Sequence, residues 1–467
     1  MLLIERENTV RSNEGFDKTK KILIGMVEVL LYHLSIWLSF YYRYDGNIPS
    51  FNYISYQNAR VYIFFVFLLL NILFGIYIYY NKSIMDLFVI TIIVQVILTV
   101  MIMAMTFFGR WFSFPRSVIV ISFITSSVIL FIWRVAVFKL YERIAGTKKV
   151  MVVGEENKIG EIIYNFMNAK NKRHTVTSAV LDNYIENIKK HIDTIDIVYI
   201  AADLSRQEKL TIIDFLVKNN KNIFVNTSFE HLALVNPNIM NIEDESVIEL
   251  SNFRISPEFD LIKRTIDIIV AALMIIATSP IMILTALFIK ITSKGPAVYK
   301  QVRITKDQQE FNIYKFRTMS ATAETDSGPV LAKANDMRVT PIGKYLRALR
   351  IDELPQLFNV LNGTMSLVGP RPERPFFVDQ FKKENPYYDL RHNVRAGITG
   401  YAQVYGKYST NFNSKLNFDL VYIKNYNLLM DLRILLQTIK VLFDKVSSKG
   451  VDEEIDTSIP ETIKIYR

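Results

Sequence analysis

Four long apolar runs occupy the first third of the chain, at approximately 22–42, 61–80, 87–108 and 118–138. Wound as α-helix, each covers the ~30 Å hydrocarbon core of a bilayer. One such run would suit a buried helix of a soluble core. Four in succession, with aromatic ends such as Tyr77, Tyr79 and Tyr80, predict a membrane bundle over residues 1–147.

Lys and Arg distribution orients the bundle. The first tail carries Arg6, Arg11, Lys18, Lys20 and Lys21, the second loop Lys82, and the stretch after the fourth run Lys139, Arg143, Lys148 and Lys149. The other two loops hold Arg43, Arg60, Arg110 and Arg116. The tail and everything after the fourth run are therefore expected in the cytoplasm. The first run is long and has no small-residue cleavage site after it, which argues against a cleaved signal peptide. Asp86 and Arg134 fall near run ends, where snorkelling toward the interface accounts for them.

From Val150 the pattern changes. Short β-branched runs at 150–154, 195–201 and 222–226 read as buried strands, separated by helical stretches at 159–169 and 208–217. Strands alternating with helices predict a parallel, doubly wound α/β domain of Rossmann-like type over 148–255. Its first turn runs from Gly154 to Gly160 without G-x-G-x-x-G spacing, and Glu155 and Glu156 would repel a pyrophosphate. A structural or regulatory module fits better than a nucleotide site.

A fifth apolar run follows at 268–289, about 33 Å long as a straight helix. Lys263 and Arg264 precede it, Lys290 and Lys294 follow it, and Ser279-Pro280 stands at its centre. Pro280 cannot donate to Ile276 and its ring crowds that carbonyl. A sharp bend there would make the segment, about 266–290, a re-entrant helix; a mild kink would leave a fifth crossing.

Composition supports a mixed molecule. The chain has 467 residues, half of them hydrophobic, and a net charge of +10. The basic residues flank apolar runs, which favours an anionic membrane face over nucleic acid. With no cysteine, disulfides and thiolate metal sites are excluded, and five scattered histidines make a zinc centre a poor fit.

Candidate chemistry lies between Lys290 and Tyr422. Lys315 and Arg317 share one face if 311–319 is a strand. Asp352 and Glu353 precede an apolar helical stretch, where helix capping is one account. With Arg347 and Arg350 nearby, they also suit phosphoryl transfer, one carboxylate as nucleophile and the other as base. Pro370 and Pro372 restrain Arg371, and Arg395 stands beside Gly397 and Gly400 in a segment able to offer backbone N–H groups to an anion.

These motifs, in this order, resemble the bacterial sugar transferases, the monotopic polyprenyl-phosphate phosphoglycosyl transferases. The resemblance rests on Lys263-Arg264 with Asp267, Ser279-Pro280, Lys315 to Met319, Asp352 to Leu357, Ser366 to Pro372 and Arg395 to Gly400, and runs from about Lys263 to the C-terminus, within a catalytic domain expected over 256–467. The four membrane helices and the Rossmann-like module in front resemble the family's large, multi-domain branch. A mixed, mainly α catalytic domain with a re-entrant helix broken at Ser279 and Pro280 is implied.

The resemblance also implies an activity. Sugar 1-phosphate would pass from a UDP-sugar to undecaprenyl phosphate at a bacterial plasma membrane, with Mg²⁺ and release of UMP. Asp352 matches the attacking aspartate and Mg²⁺ contact, and Glu353 its partner. Arg347 and Arg371, and with weaker match Lys315, Arg317 and Arg395, correspond to phosphate or nucleotide contacts. Capsule, exopolysaccharide or O-antigen synthesis, membrane lipids, a homodimer and other polysaccharide-assembly proteins are the matching context. Tyr405-Gly406-Lys407-Tyr408 departs from the usual Gly-Arg-Asn. Two rival readings are weaker. A nucleotide-sugar dehydratase or epimerase needs the glycine fingerprint and a Tyr-x-x-x-Lys pair, but Leu349 stands four residues after Tyr345. An inactive scaffold would not require every carboxylate and arginine of these motifs.

Overall fold

A computed structural model describes residues 18–78, 82–109, 113–169, 173–201, 204–226, 229–234, 238–242, 245–249, 253–293, 295–319, 338–406, 411–443 and 458–467. Arg6, Arg11, Tyr79, Tyr80, Arg110, Lys294, Lys407 and Tyr408 lie outside these residues. The chain divides into two units, 1–226 with 454–467, and 227–453.

The first unit opens with helices α1 (Lys18–Arg43), α2 (Ser50–Leu73), α3 (Ile84–Phe108) and α4 (Arg116–Ala145). All four are long and apolar enough to cross a membrane. Their outward faces are apolar, as lipid contact demands, while a polar seam runs inside. Its centre is Arg134, whose side chain is 1 % exposed and bonds both oxygens of Glu28, at 2.9 and 3.0 Å. Arg134 also donates to Asn71 and Thr91, both at 2.8 Å. Each helix thus supplies one member of the seam. Snorkelling is not how this sequence accommodates Arg134: a carboxylate on α1 makes burial tolerable. Asp86 does not snorkel either; it closes a capping box with Ser83 at the start of α3.

A five-stranded parallel sheet follows. Its strands are β1 (Lys148–Val153), β2 (His174–Val180), β3 (Ile197–Ile200) and β4 (Asn222–Val225), with helices α5 (Glu156–Met167), α6 (Tyr184–His191) and α7 (Arg206–Lys218) between them. Alternation along β1 builds two cores. Val150 and Val152 meet Ile159 and Ile163 of α5, while Met151 and Val153 meet Ile188 of α6 and Ile212 of α7. Both faces are covered, as a parallel sheet requires. Strand β2 was not legible in the sequence because His174, Thr175, Thr177 and Ser178 dilute its apolar pattern. The last strand, β11 (Lys464–Tyr466), pairs parallel with β2. The sequence had grouped 256–467 together; in space this strand belongs to the middle sheet.

The second unit holds α8 (Phe229–Leu234), a hairpin of β5 (Asn238–Ile242) and β6 (Glu245–Glu249), and the long α9 (Pro257–Thr292). Then come the hairpin β7 (Val298–Ile304) and β8 (Glu310–Phe316), α10 (Pro341–Ala348), α11 (Gln356–Leu361), β9 (Met365–Val368) and α12 (Pro375–Glu384). The parallel partner of β9 is β10 (Ala396–Thr399), followed by α13 (Tyr401–Tyr405), α14 (Phe412–Lys424) and α15 (Leu428–Phe443). Its core gathers Leu357, Val360, Met365, Leu367, Leu416, Leu420 and Tyr422.

Helix α9 begins earlier than expected and runs unbroken through Ser279 and Pro280. The hydroxyl of Ser279 donates to the Ile276 carbonyl at 2.8 Å. That is the carbonyl Pro280 leaves without a backbone donor. Helical structure therefore survives the proline. Both halves of α9 pack on the same unit. Asp267 accepts from the Leu367 amide at 3.2 Å, whereas Met282 and Ile289 pack with Phe316 and Leu346.

Candidate active site

Four segments converge on the carboxylate pair. Strand β8 buries Phe311 and Ile313 on one face, and Lys315 continues that parity at its end. Asn359 fixes the strand: its side chain accepts from the Tyr314 amide at 2.9 Å and donates to the Asn312 carbonyl at 2.8 Å. Helix α10, capped by Thr340 on the Gly343 amide, presents Arg347 in its last turn.

The chain then turns sharply. Arg350 adopts φ 54, ψ 22, a left-handed conformation uncommon for a side chain of this size. A 3-10 turn, Ile351–Glu353, comes next, and α11 starts only at Gln356, with Pro355 as N-cap and no side-chain cap. Asp352 is therefore not the helix cap that sequence allowed. Ile351 and Leu354 pack against the cluster of Met282, Ile289, Phe316 and Leu346, which anchors the turn.

The third segment is the loop Gly369–Glu373. Gly369 and Gly397 approach so closely that a Cβ on Gly397 would lie 2.1 Å from the Gly369 nitrogen. Only glycine permits that contact. Four successive carbonyls of the loop are held: Pro370 by the Gly397 amide, Arg371 by Arg391, Pro372 by Arg303 and Glu373 by the Ile304 amide, at 2.9, 2.9, 3.1 and 3.0 Å.

The two carboxylates meet different surroundings. Glu353 Oε1 lies 3.1 Å from Lys315 and 3.1 Å from Arg371, with Arg350 3.9 Å from its other oxygen. Burial pushes this carboxyl up, but Lys315, Arg371 and Arg350 outweigh it and hold it well below the usual range. Asp352 has no hydrogen bond or ion pair among the described residues. Burial, then the charge of Glu353, raise its pKa against the pull of Lys315, Arg347 and Arg371. One acid is thus locked as an ion-paired anion and its neighbour keeps its oxygens uncommitted. Environments that separate two adjacent acids assign them different work.

The expected cations divide. Lys315 and Arg371 touch Glu353, and Arg347 bonds the Thr318 hydroxyl at 2.9 Å while acting on Asp352 electrostatically. Arg317 instead binds the Ser293 carbonyl and hydroxyl at 2.9 and 2.6 Å, tying the end of α9 to β8. Arg395 pairs with Asp260 at 2.7 Å, near the start of α9. Sequence reasoning passed over Arg391, Asp419 and Asn359, which carry no spacing signal; they emerge only from the packing of α11, α14 and the loops.

Residues 259–445 match the family model of the bacterial sugar transferases. A Caulobacter vibrioides UDP-glucose:undecaprenyl-phosphate glucose-1-phosphate transferase is 42% identical over 190 residues, 39% of this chain and 70% of that protein. The chain belongs to the bacterial sugar transferase family. An Aeromonas hydrophila UDP-N-acetylgalactosamine-undecaprenyl-phosphate N-acetylgalactosaminephosphotransferase is 47% identical over 197 residues, 42% of this chain and 46% of the relative. A Klebsiella pneumoniae UDP-glucose:undecaprenyl-phosphate glucose-1-phosphate transferase is 37% identical over 259 residues, 53% of this chain and 54% of the relative. The matched segment spans about half the length of these last two relatives. The matched region contains the carboxylate pair, its cations and α9 almost entire.

Proposed function

We propose that this sugar transferase moves a sugar 1-phosphate from a UDP-sugar to undecaprenyl phosphate and releases UMP, as the first step of a surface polysaccharide. The observation that carries the reading is the split pair: Asp352 uncommitted, Glu353 held by Lys315 and Arg371. An Asp352 oxygen attacks the phosphorus that bears the sugar, and the bond from that phosphorus to UMP breaks. The lipid phosphate oxygen then attacks the same phosphorus and the carboxylate of Asp352 leaves. Two steps let a soluble and a lipid substrate use one site in turn. Glu353 remains an anion between two cations, which sets their positions around the phosphates and lets it accept a hydrogen bond from the lipid phosphate and steer it. Lys315, Arg347 and Arg371 neutralise charge that spreads over the phosphoryl oxygens.

The donor set fits Mg²⁺. Asp352 supplies one free carboxylate, and no cluster of three or more metal-ligating side chains occurs among the described residues. Mg²⁺ is commonly held by one or two carboxylates with substrate phosphates and water. When bound, it would neutralise diphosphate charge.

The reading includes a membrane geometry. Were α9 to cross the bilayer straight, Asp267 and Ser293 would stand about 39 Å apart, on opposite sides of a ~30 Å core. Yet Leu354 packs with the core that holds Ala271 and with the cluster of Met282 and Ile289, and so with both halves of α9. That supports a re-entrant helix, with the site at the cytoplasmic face.

The test is release of UMP from membranes given undecaprenyl phosphate, Mg²⁺ and a panel of UDP-sugars. The relatives' names put UDP-N-acetylgalactosamine and UDP-glucose first. No UMP from any donor would overturn the reading.

A further inference from the structure

We propose that Arg391, neutralised by Asp419, is a positioning residue that holds Arg371 against Glu353 and so presets one side of the phosphate frame. The inference rests on the reaction proposed above and deepens it.

The Arg371 side chain is 43 % exposed, so its aim depends in good part on how its backbone is held. Its direction is set from its backbone. Pro370 and Pro372 fix φ on both sides, and preceding a proline confines Arg371 itself to extended conformations. What remains free is the small rotation that swings its carbonyl, and that carbonyl accepts from Arg391 Nη2 at 2.9 Å. The other three carbonyls of the loop are held by two backbone amides and by Arg303, whose side chain is partly exposed.

Arg391 is well placed to be the rigid member. It contacts Asp419 through Nε at 3.0 Å and Nη2 at 2.8 Å, and donates from Nη1 to the Tyr388 hydroxyl at 2.6 Å. Both side chains of the ion pair are nearly inaccessible, at 5 % and 2 %. A small void lies beside the loop, lined by Pro370, Arg371, Pro372, Arg391 and His392.

A planar guanidinium can grip a carboxylate and a carbonyl at once; an ammonium carries the same charge from a single nitrogen. A buried pair that served only the core could be exchanged for apolar residues at little cost. Here one donor goes instead to the loop that carries Arg371.

The test compares Arg391→Lys with wild type in two backgrounds, unaltered and Arg371→Ala, using full-length protein in nanodiscs. Positioning predicts a roughly tenfold or larger fall in kcat for UMP release, with KM for the UDP-sugar within about threefold. In the Arg371→Ala background the same change should cost less than about twofold, because the group being aimed is gone. Hydrogen exchange should rise in the peptide holding Arg371, Glu373 and Arg374 while α14 stays protected. If Arg391→Lys does not fold, R391M/D419L removes both charges together and is read in the same way. Equal losses in the two backgrounds, unchanged kinetics, or exchange rising throughout residues 227–453 would overturn the inference. Should wild type release no UMP, the reaction reading fails, and the exchange measurement alone decides whether Arg391 holds the loop.

Discussion

Glu353 Oε1 and the Arg371 guanidinium lie 3.1 Å apart, joined across the turn before α11 and the loop after β9. The same oxygen meets Lys315, so Glu353 is the shared counter-ion of two cations. Asp352 stands beside it with neither. The two acids should therefore fail differently. Asp352→Asn removes the proposed nucleophile and should lower UMP release about 10³-fold or more. Glu353→Gln leaves the nucleophile but frees Lys315 and Arg371, and a loss of about 10²-fold is expected. Single-turnover assays with radiolabelled UDP-sugar separate the cases, since Glu353→Gln should still label the protein while Asp352→Asn should not. Chelating Mg²⁺ should stop release in wild type, and adding it back should restore it.

The cations sort into two groups that kinetics and stability can tell apart. Arg371→Lys replaces the planar guanidinium at Glu353 with a single ammonium and should cut kcat/KM by roughly 10- to 100-fold. Arg395→Ala breaks a partly buried pair with Asp260. It should cost about 1 kcal/mol of stability, with kinetic constants within about twofold. A large kinetic effect of Arg395→Ala at unchanged thermal stability would return that residue to the site.

Much of this was legible in the sequence because it is carried by periodicity or by fixed local spacing. The four apolar runs and the strands β1, β3 and β4 announce themselves through burial on one or both faces. The pair Asp352-Glu353 and the Pro370-Arg371-Pro372 bracket are contiguous, so their chemistry can be read locally. What escaped depends on partners distant in the chain. Arg134 looks like a snorkelling arginine until α1 brings Glu28 to it. Arg317 looks like a partner of Lys315 until the strand ends one residue earlier and its side chain turns to Ser293. Asp352 looks like a cap until Arg350 takes a left-handed backbone and inserts a 3-10 turn before the helix. In each case tertiary packing chose between local options that the sequence left equal.

Acid should weaken the second unit through His392. Burial, then Arg391 and Lys382, push its pKa from 6.5 down to about 3. Asp389 stands 3.7 Å away but is itself paired with Lys382 at 2.8 Å, so it offsets this only in part. The folded state thus holds His392 neutral while the unfolded chain takes up a proton below about pH 6.5. Stability should be intact above that pH and fall progressively as pH drops toward 3. The loss approaches ~1.4 kcal/mol per unit of separation between the two pKa values. His392→Phe should flatten this dependence, measured as thermal midpoints between pH 7 and 4.5 in detergent. An unchanged slope would mean that the acid sensitivity arises elsewhere.

The seam inside the membrane bundle makes the sharpest stability prediction. Glu28 and Arg134 are both buried, and Asn71 and Thr91 also accept from the arginine. Removing one partner strands a charge in a low-dielectric interior, so Arg134→Ala and Glu28→Ala should each destabilise the bundle by about 3–5 kcal/mol. Removing both with apolar replacements, E28L/R134M, leaves no charge to strand and should recover most of that loss. Thermal unfolding in detergent and protease sensitivity of the loops provide the readouts. Losses that simply add in the double variant would mean that the two residues act independently, and that the seam is not the closed network its distances describe.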